Sequence, residues 1–530
     1  MNEPTLTFHG AARTVTGACF ELAFGERRIL VDCGLFQGPR GLGALNREAF
    51  RFDAHKIDAV MLTHAHIDHS GLLPRLVRDG FKGDIWCTGP TADLLGVMLP
   101  DAGRIQEGDA DRRNRRADRR DEAPASPLYT EADAVKAAEQ ARTIVLETWF
   151  EPAPGIRARF WNAGHILGSA SVEVEVGGSR LLFSGDIGPD HKAFHADPDA
   201  PNGFDHIICE STYGDRDRET VTIEQRRRRL EDEVKAALVR GGNLVVPVFA
   251  VERTQELLLD LATLINQGGL PHTNIFIDSP MASRVTRVFG THAGHLEDLG
   301  SGEVFRHPAF HFVEDVAQSI RLNDVSGAII LSASGMCEAG RIKHHLLHNL
   351  PRSDSTLLFV GYQAAGTLGR IILEGAQRVR ISGREVAVRA QIRRIDSYSA
   401  HADRTEILEW LAARAPIRGS VFLTHGETPA LEALRRDLQS RHTATTVTVP
   451  EIGERYAVNP GAPAKRVATG RTEMRDVLER DWQNDYADLS ANLKSELRRI
   501  ADDGARKEAI RRMTAVLAQY RSHVDNKTRR

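Results

Sequence analysis

Short apolar runs broken by glycine and polar residues set the rhythm of this chain, and the sharper runs end in side chains that can bind a metal or move a proton. Arg28-Ile29-Leu30-Val31 leads into Asp32-Cys33-Gly34 within a stretch, residues 5–38, whose brief runs predict a hairpin-rich start. Ala59-Val60-Met61-Leu62 reads as a buried strand, residues 72–79 have helical spacing, and residues 84–87 look like another short strand. Further strands are expected at residues 157–161, at the alternating Val172-Glu173-Val174-Glu175-Val176 and at residues 180–184. From Phe204 to about Arg394 the pattern restarts as a second α/β unit. It opens with a strand at 205–209 and a long charged helix, and buried strands follow around 243–250, 275–278, 328–331 and 356–360. After Ile395 come an amphipathic helix at 406–413 and a strand at 420–424, and from about Ala468 the chain is charged with a helical period.

The densest chemistry follows the strand at 59–62. Thr63-His64-Ala65-His66-Ile67-Asp68-His69-Ser70-Gly71 packs three imidazoles and one carboxylate into six positions, and a strand that ends in such residues aims them at one point. Imidazole nitrogen and carboxylate oxygen suit zinc and similar divalent ions. Lone residues of the same kind recur at later strand or loop ends: His165 in Asn162-Ala163-Gly164-His165, Asp186 in Gly185-Asp186-Ile187-Gly188, Glu210 before Ser211-Thr212-Tyr213-Gly214, His401 in Ser399-Ala400-His401-Ala402-Asp403, and His425 before Gly426-Glu427. A single His or Asp in a glycine-flanked loop is as readily a turn residue as a ligand, so the weight lies in the recurrence.

Composition narrows the setting. The 530 residues carry a net charge of -3, 41% hydrophobic and 27% charged residues, which is ordinary for a globular protein of two or more compact units and announces no polyanion partner overall. Any nucleic-acid surface must be local, and the Arg-rich runs at 112–120 and 226–229, both mixed with acids, read more simply as solvated helix faces. The five cysteines, Cys19, Cys33, Cys87, Cys209 and Cys337, are scattered with no CxxC spacing, which fits a reducing cytoplasm rather than a disulfide scaffold or zinc ribbon. No window approaches a membrane span.

Taken in order, the strand-end residues resemble the metallo-β-lactamase superfamily, and within it the β-CASP nucleases that include RNase J and the eukaryotic pre-mRNA 3′-end-processing endonuclease. The likeness runs from about Thr5 to Glu427 and somewhat beyond. It implies a metallo-β-lactamase αββα sandwich with an inserted β-CASP α/β domain, divided as 1–208, then 209–394 for the insertion, 395–465 for the returning part and 466–530 for a helical extension suited to homo-oligomerisation or packing. It implies two Zn2+ ions per chain, with His64, His66 and His165 on one, Asp68, His69 and His425 on the other, Asp186 bridging, and Asp32 supporting the ligands from behind. The β-CASP positions are Glu210, His401 and His425, and a histidine at the third points to single-stranded RNA rather than DNA.

On that likeness, Asp68 and Asp186 orient the attacking water. His401, paired with Glu210, protonates the leaving 3′-oxygen to give 5′-phosphate and 3′-hydroxyl ends. Ser334, Arg341 and Arg370, in glycine-rich turns, are candidates for holding phosphate. Two rival readings are a small thioester or lactone hydrolase of the same superfamily and a non-catalytic RNA-binding subunit. Relatives of the first kind generally lack the insertion, and the second kind has lost ligands that are all present here.

Overall fold

The computed structural model describes residues 3–117, 124–218, 221–471 and 499–527, apart from 39, 298, 300, 301, 362, 364–366 and 442–444, together with 493 and 497. Two mixed sheets face each other. The first has eight strands in the spatial order Lys465–Ala468, Arg455–Ala457, Thr5–Phe8, Phe20–Phe24, Arg27–Val31, Ala59–Met61, Asp84–Cys87 and Ala141–Thr143. The second has seven: Thr446–Thr448, Ser420–Thr424, His206–Glu210, Ser179–Phe183, Ala170–Val176, Ile156–Asn162 and Phe150–Ala153.

The continuous apolar runs are explained by burial on both faces. In the strand at 27–31, Ile29 and Val31 enter the core between the sheets, while Leu30 meets the outer helices Leu73–Arg78 and Gly89–Ala117. In the strand at 206–210 the same alternation sends Ile208 inward, and Ile207 and Cys209 toward the helices Arg404–Ala413 and Thr428–Ser440 on the other outer face. The result is an αββα sandwich.

The strand at 206–210 pairs in parallel with Ser179–Phe183 and Ser420–Thr424, so the second sheet extends past residue 208, beyond the division expected from sequence. An apolar run buried on both faces carries no mark of which sheet it joins.

The insertion carries its own six-stranded, all-parallel sheet in the order Phe310–Phe312, Ile275–Ile277, Ile329–Ser332, Leu244–Pro247, Thr356–Phe359 and Gln391–Arg394. Its first strand in sequence lies inside the sheet, with later strands added on either side, so the chain changes winding direction there. Such a point opens a crevice at the carboxyl ends of the strands. Helices Ile223–Val239 and Arg253–Asn266 pack beside it, the former begun by a capping box between Thr222 and Gln225.

Of the carboxyl-terminal extension, the helix Asp503–Lys527 is described, and none of its side chains described is buried. Residues 472–492 of the expected helical appendage lie outside the described residues. No described helix is long and apolar enough to cross a membrane.

Candidate metal centre

Strand ends deliver the ligand-type residues, and the backbone at those ends is bent to do it. Asp32 follows the strand at 27–31 with φ 61°, and His425 follows the strand at 420–424 with φ 50°, left-handed conformations that cost energy for residues other than glycine. Gly34 is required for a different reason: a Cβ there would lie 1.6 Å from the carbonyl oxygen of Asp68. That close approach holds the turn Ile67–Ser70 against the first sheet, through Cys33 N donating to His69 O (2.8 Å) and Ala18 N donating to Asp68 O (2.8 Å).

The residues gather in three overlapping groups. In the first, His66 Nδ1 lies 3.1 Å from both His64 Nε2 and His165 Nε2, and Asp186 Oδ2 is 3.5 Å from each of those two Nε2 atoms. In the second, His69 Nε2 is 3.1 Å from His425 Nε2, which is 3.6 Å from Asp68 Oδ2, and Asp186 Oδ1 is 3.2 Å from His69 Nε2. In the third, His401 Nδ1 lies 3.2 Å from Glu210 Oε1 and 3.9 Å from Asp186 Oδ2. Asp186 belongs to the first and third groups and reaches the second through His69.

Nitrogens bound tetrahedrally at zinc–nitrogen distances of about 2.0–2.1 Å stand about 3.3 Å apart, close to the spacing of the first two groups. The surrounding hydrogen bonds leave the right atoms for an ion. His165 Nδ1 donates to Ala400 O (2.7 Å) and His69 Nδ1 bonds Asp32 Oδ2 (2.7 Å), so each presents Nε2 inward. Thr212 Oγ1 donates to His425 O and accepts from His425 Nδ1 (3.1 Å), which again leaves Nε2. Asp32 also accepts from Thr63 N (2.8 Å) and Thr63 Oγ1 (2.9 Å). The buried Asp186 Oδ1 has no hydrogen-bond partner, an orphan acceptor at the meeting point of the groups. This donor set fits divalent metal.

Protonation agrees. Burial pushes His64 and His165 well below the ordinary histidine range and His66 below it, keeping them in the neutral form that metal binding requires. For Asp186 burial works the other way, but His425, His69 and His64 outweigh it and hold the carboxyl well below its usual value. Burial likewise raises Asp68, and the neighbouring His425 and His69 overturn that effect, so it stays low. His69 rises well above its usual value because Asp186 and Asp32 overcome its burial. His401 also rises against its burial, through Glu210 and then Asp186.

The phosphate candidates are placed elsewhere. The Arg341 guanidinium binds Asp278 (2.7 Å) and the carbonyls of Val313 (3.0 Å) and Glu314 (2.7 Å), an anchor inside the inserted unit. Arg370 pairs with Glu374 one helical turn on. Ser334 Oγ bonds the backbone of Ala339 within its own loop. A glycine-rich turn ending in arginine thus looks the same in sequence whether the arginine faces a ligand or its own fold. Within the Arg-rich runs, Arg226 and Arg227 bind Asp260 at 2.9 and 2.8 Å, and Arg112 pairs with Asp109. Residues 118–120 of the other run lie outside the described residues.

Sequence reasoning missed a strut between the inserted unit and the metal loop. Glu252, with φ 68° and 2% exposed, accepts from Leu167 N (3.1 Å), lies 3.0 Å from Lys192 Nζ and bonds His195 Nε2 at 2.6 Å. Lys192 Nζ also donates to the carbonyl of His165. Its only sequence signal was the odd glutamate closing the apolar Val248-Phe249-Ala250-Val251.

Three family descriptions match the chain: the metallo-beta-lactamase superfamily over residues 13–220, the Beta-Casp domain over 254–372, and a Zn-dependent metallo-hydrolase RNA specificity domain over 385–450. Among curated proteins, "Ribonuclease TTHA0252" of Thermus thermophilus is 36% identical over 456 residues, 84% of this chain and 98% of that protein. An "RNase J-like protein" of Methanocaldococcus jannaschii is 30% identical, covering 80% and 92% respectively. "Transcription termination factor FttA" of Methanosarcina mazei is 29% identical over 80% of this chain and 67% of its own length. The crystal structure of a protein of unknown function from Enterococcus faecalis V583 overlays with a TM-score of 0.52 at 14% identity, covering 86% of this chain and 99% of that one, a likeness of fold.

Proposed function

The chain belongs to the β-CASP family of the metallo-β-lactamase superfamily, and from that premise we propose that it is a ribonuclease that hydrolyses phosphodiesters of single-stranded RNA, using two zinc ions, to leave 5′-phosphate and 3′-hydroxyl ends. The observation that carries this reading is the His401–Glu210 pair, set against Asp186 beside two ligand groups, with an inserted α/β unit tied to the His165 loop through Glu252. Small-molecule hydrolysis requires neither the pair nor the unit.

His64, His66 and His165 would hold one ion, Asp68, His69 and His425 the other, with Asp186 between them. When bound, such a pair supplies an activated water at neutral pH and charge neutralisation on the phosphate oxygens. The chain's own residues do the rest. Asp68 and Asp186, kept ionised by the surrounding imidazoles, orient the attacking water by accepting its hydrogen bonds. Glu210 is fixed by Ile187 N (2.6 Å) and Thr212 N (3.3 Å), and its carboxylate accepts from His401 Nδ1. That contact holds the ring as a charged donor whose Nε2 proton passes to the departing 3′-oxygen.

Labelled RNA oligomers bearing 5′-monophosphate, 5′-triphosphate or 5′-hydroxyl ends, offered with zinc beside a thioester, test the proposal. Cleavage of RNA alone is expected, and its product ladder separates internal cutting from digestion from the 5′ end. Thioester turnover without RNA cleavage would overturn it. His401→Ala is expected to keep its metal content and lose most turnover; metal lost in step with activity would make His401 a ligand instead of the acid.

A further inference from the structure

Every residue from 242 to 262 is buried except Phe249, which is 45% exposed. Its neighbours Val248, Ala250 and Val251 are between 1% and 8% exposed, and Glu252 is 2% exposed. An aromatic ring half turned to solvent from so buried a stretch gains only part of what a Phe contributes in the core.

The ring is nevertheless held in place. A Cβ on Gly335 would lie 2.8 Å from two of its carbons, so the ring rests directly on the backbone of that glycine. Thr254 Oγ1 donates to Phe249 O at 2.7 Å and fixes the main chain beneath it. One edge of the ring is therefore seated on peptide, and the rest is open.

Its position is equally particular. Phe249 follows the carboxyl end of the strand at 244–247, where the inserted sheet changes winding direction, and Gly335 follows the end of the neighbouring strand at 329–332. Three residues further on, Glu252 touches Leu167 in the loop that carries His165. A chain reaches at most about 3.6 Å per residue, so the Phe249 backbone lies within about 11 Å of the Glu252 backbone, whose side chain makes that contact.

We propose that Phe249 is a stacking platform for one nucleobase of RNA bound between the inserted unit and the metal centre, a specificity element for single-stranded substrate. The inference rests on the ribonuclease reading above and adds to it the place where a base is gripped. Only an unpaired base can present its face to such a ring, and every base has that face. The platform therefore selects single strands without selecting sequence.

Phe249→Ala, Phe249→Tyr and Phe249→Trp are assayed with zinc-loaded protein on an RNA oligomer and on a set of oligomers each carrying one abasic residue. Loss of one stacked base weakens binding about 5- to 150-fold, so Phe249→Ala should raise KM by that factor while kcat changes little and Phe249→Tyr stays near wild type. A single abasic position should reproduce the loss in the wild type and leave Phe249→Ala indifferent, and RNA should quench the added fluorescence of Phe249→Trp. The inference falls if Phe249→Ala keeps its KM, if it loses equally on every abasic oligomer, or if its one effect is to break a self-associated form. If the wild type neither binds nor cleaves RNA, the ribonuclease reading itself is what fails.

Discussion

Replacing Glu252 by Gln removes one negative charge from the strut between the inserted unit and the His165 loop while keeping an oxygen for Leu167 N to reach. Glu252 and Lys192 have side chains 3% and 2% exposed, so the change strands an ammonium in the interior. Deleting one partner of such a pair costs about 3–5 kcal/mol, here at pH 7 and with metal removed. Lys192 also holds the His165 carbonyl, so zinc affinity should fall with it, by about the 10- to 100-fold typical of groups that orient ligands.

Acid should narrow the difference between wild type and variant. Burial raises the Glu252 carboxyl, but His195 and then Lys192 outweigh it and bring it from 4.5 down to about 2. Its stabilising effect is complete above the unfolded value and is lost as pH falls toward the folded one. At pH 3.5 the unfolded chain is mostly protonated at this site and the folded chain is not, so the gap should shrink by about 1.5 kcal/mol. Urea unfolding of both proteins at pH 7 and pH 3.5, with zinc titration at pH 7, reads all three quantities. A variant as stable as wild type at pH 7, or a gap that widens in acid, would refute the reasoning.

Two further changes probe other parts of the site. Asp32→Asn keeps a residue type that tolerates left-handed backbone but weakens the hold on His69 and Thr63, and competition with a chelator should show zinc bound about 10- to 100-fold less tightly with the fold intact by circular dichroism. Arg226→Met breaks a buried contact with Asp260 and should cost about 3–5 kcal/mol in unfolding experiments. It should leave the salt dependence of RNA binding unchanged, whereas a slope reduced by about one would place Arg226 on a phosphate.

The ligand-type residues were legible because most sit at or just beyond a strand end, with His401 in the loop before the helix at 404–413, and strands are what apolar runs announce most clearly. The strand at 84–87 and the strand at 420–424 fall where the pattern puts them. Three kinds of fact were not legible. Sheet membership of 206–210 depends on partners at 179–183 and 420–424, and nothing local records it. The roles of Arg341 and Arg370 turn on Asp278 and Glu374, contacts set by tertiary packing and by one helical turn. Glu252 and Phe249 stand out only once burial is known, since a glutamate and a phenylalanine three positions apart are unremarkable letters until one proves enclosed and the other bare.

His69 and His425 meet across 356 positions of sequence, and the strand that carries His425 completes its sheet only by docking on 206–210. A polypeptide still emerging from the ribosome thus lacks the last of these site residues until position 425 has been made. Until then the second ligand group has two of its three members, and it closes only when that late strand docks.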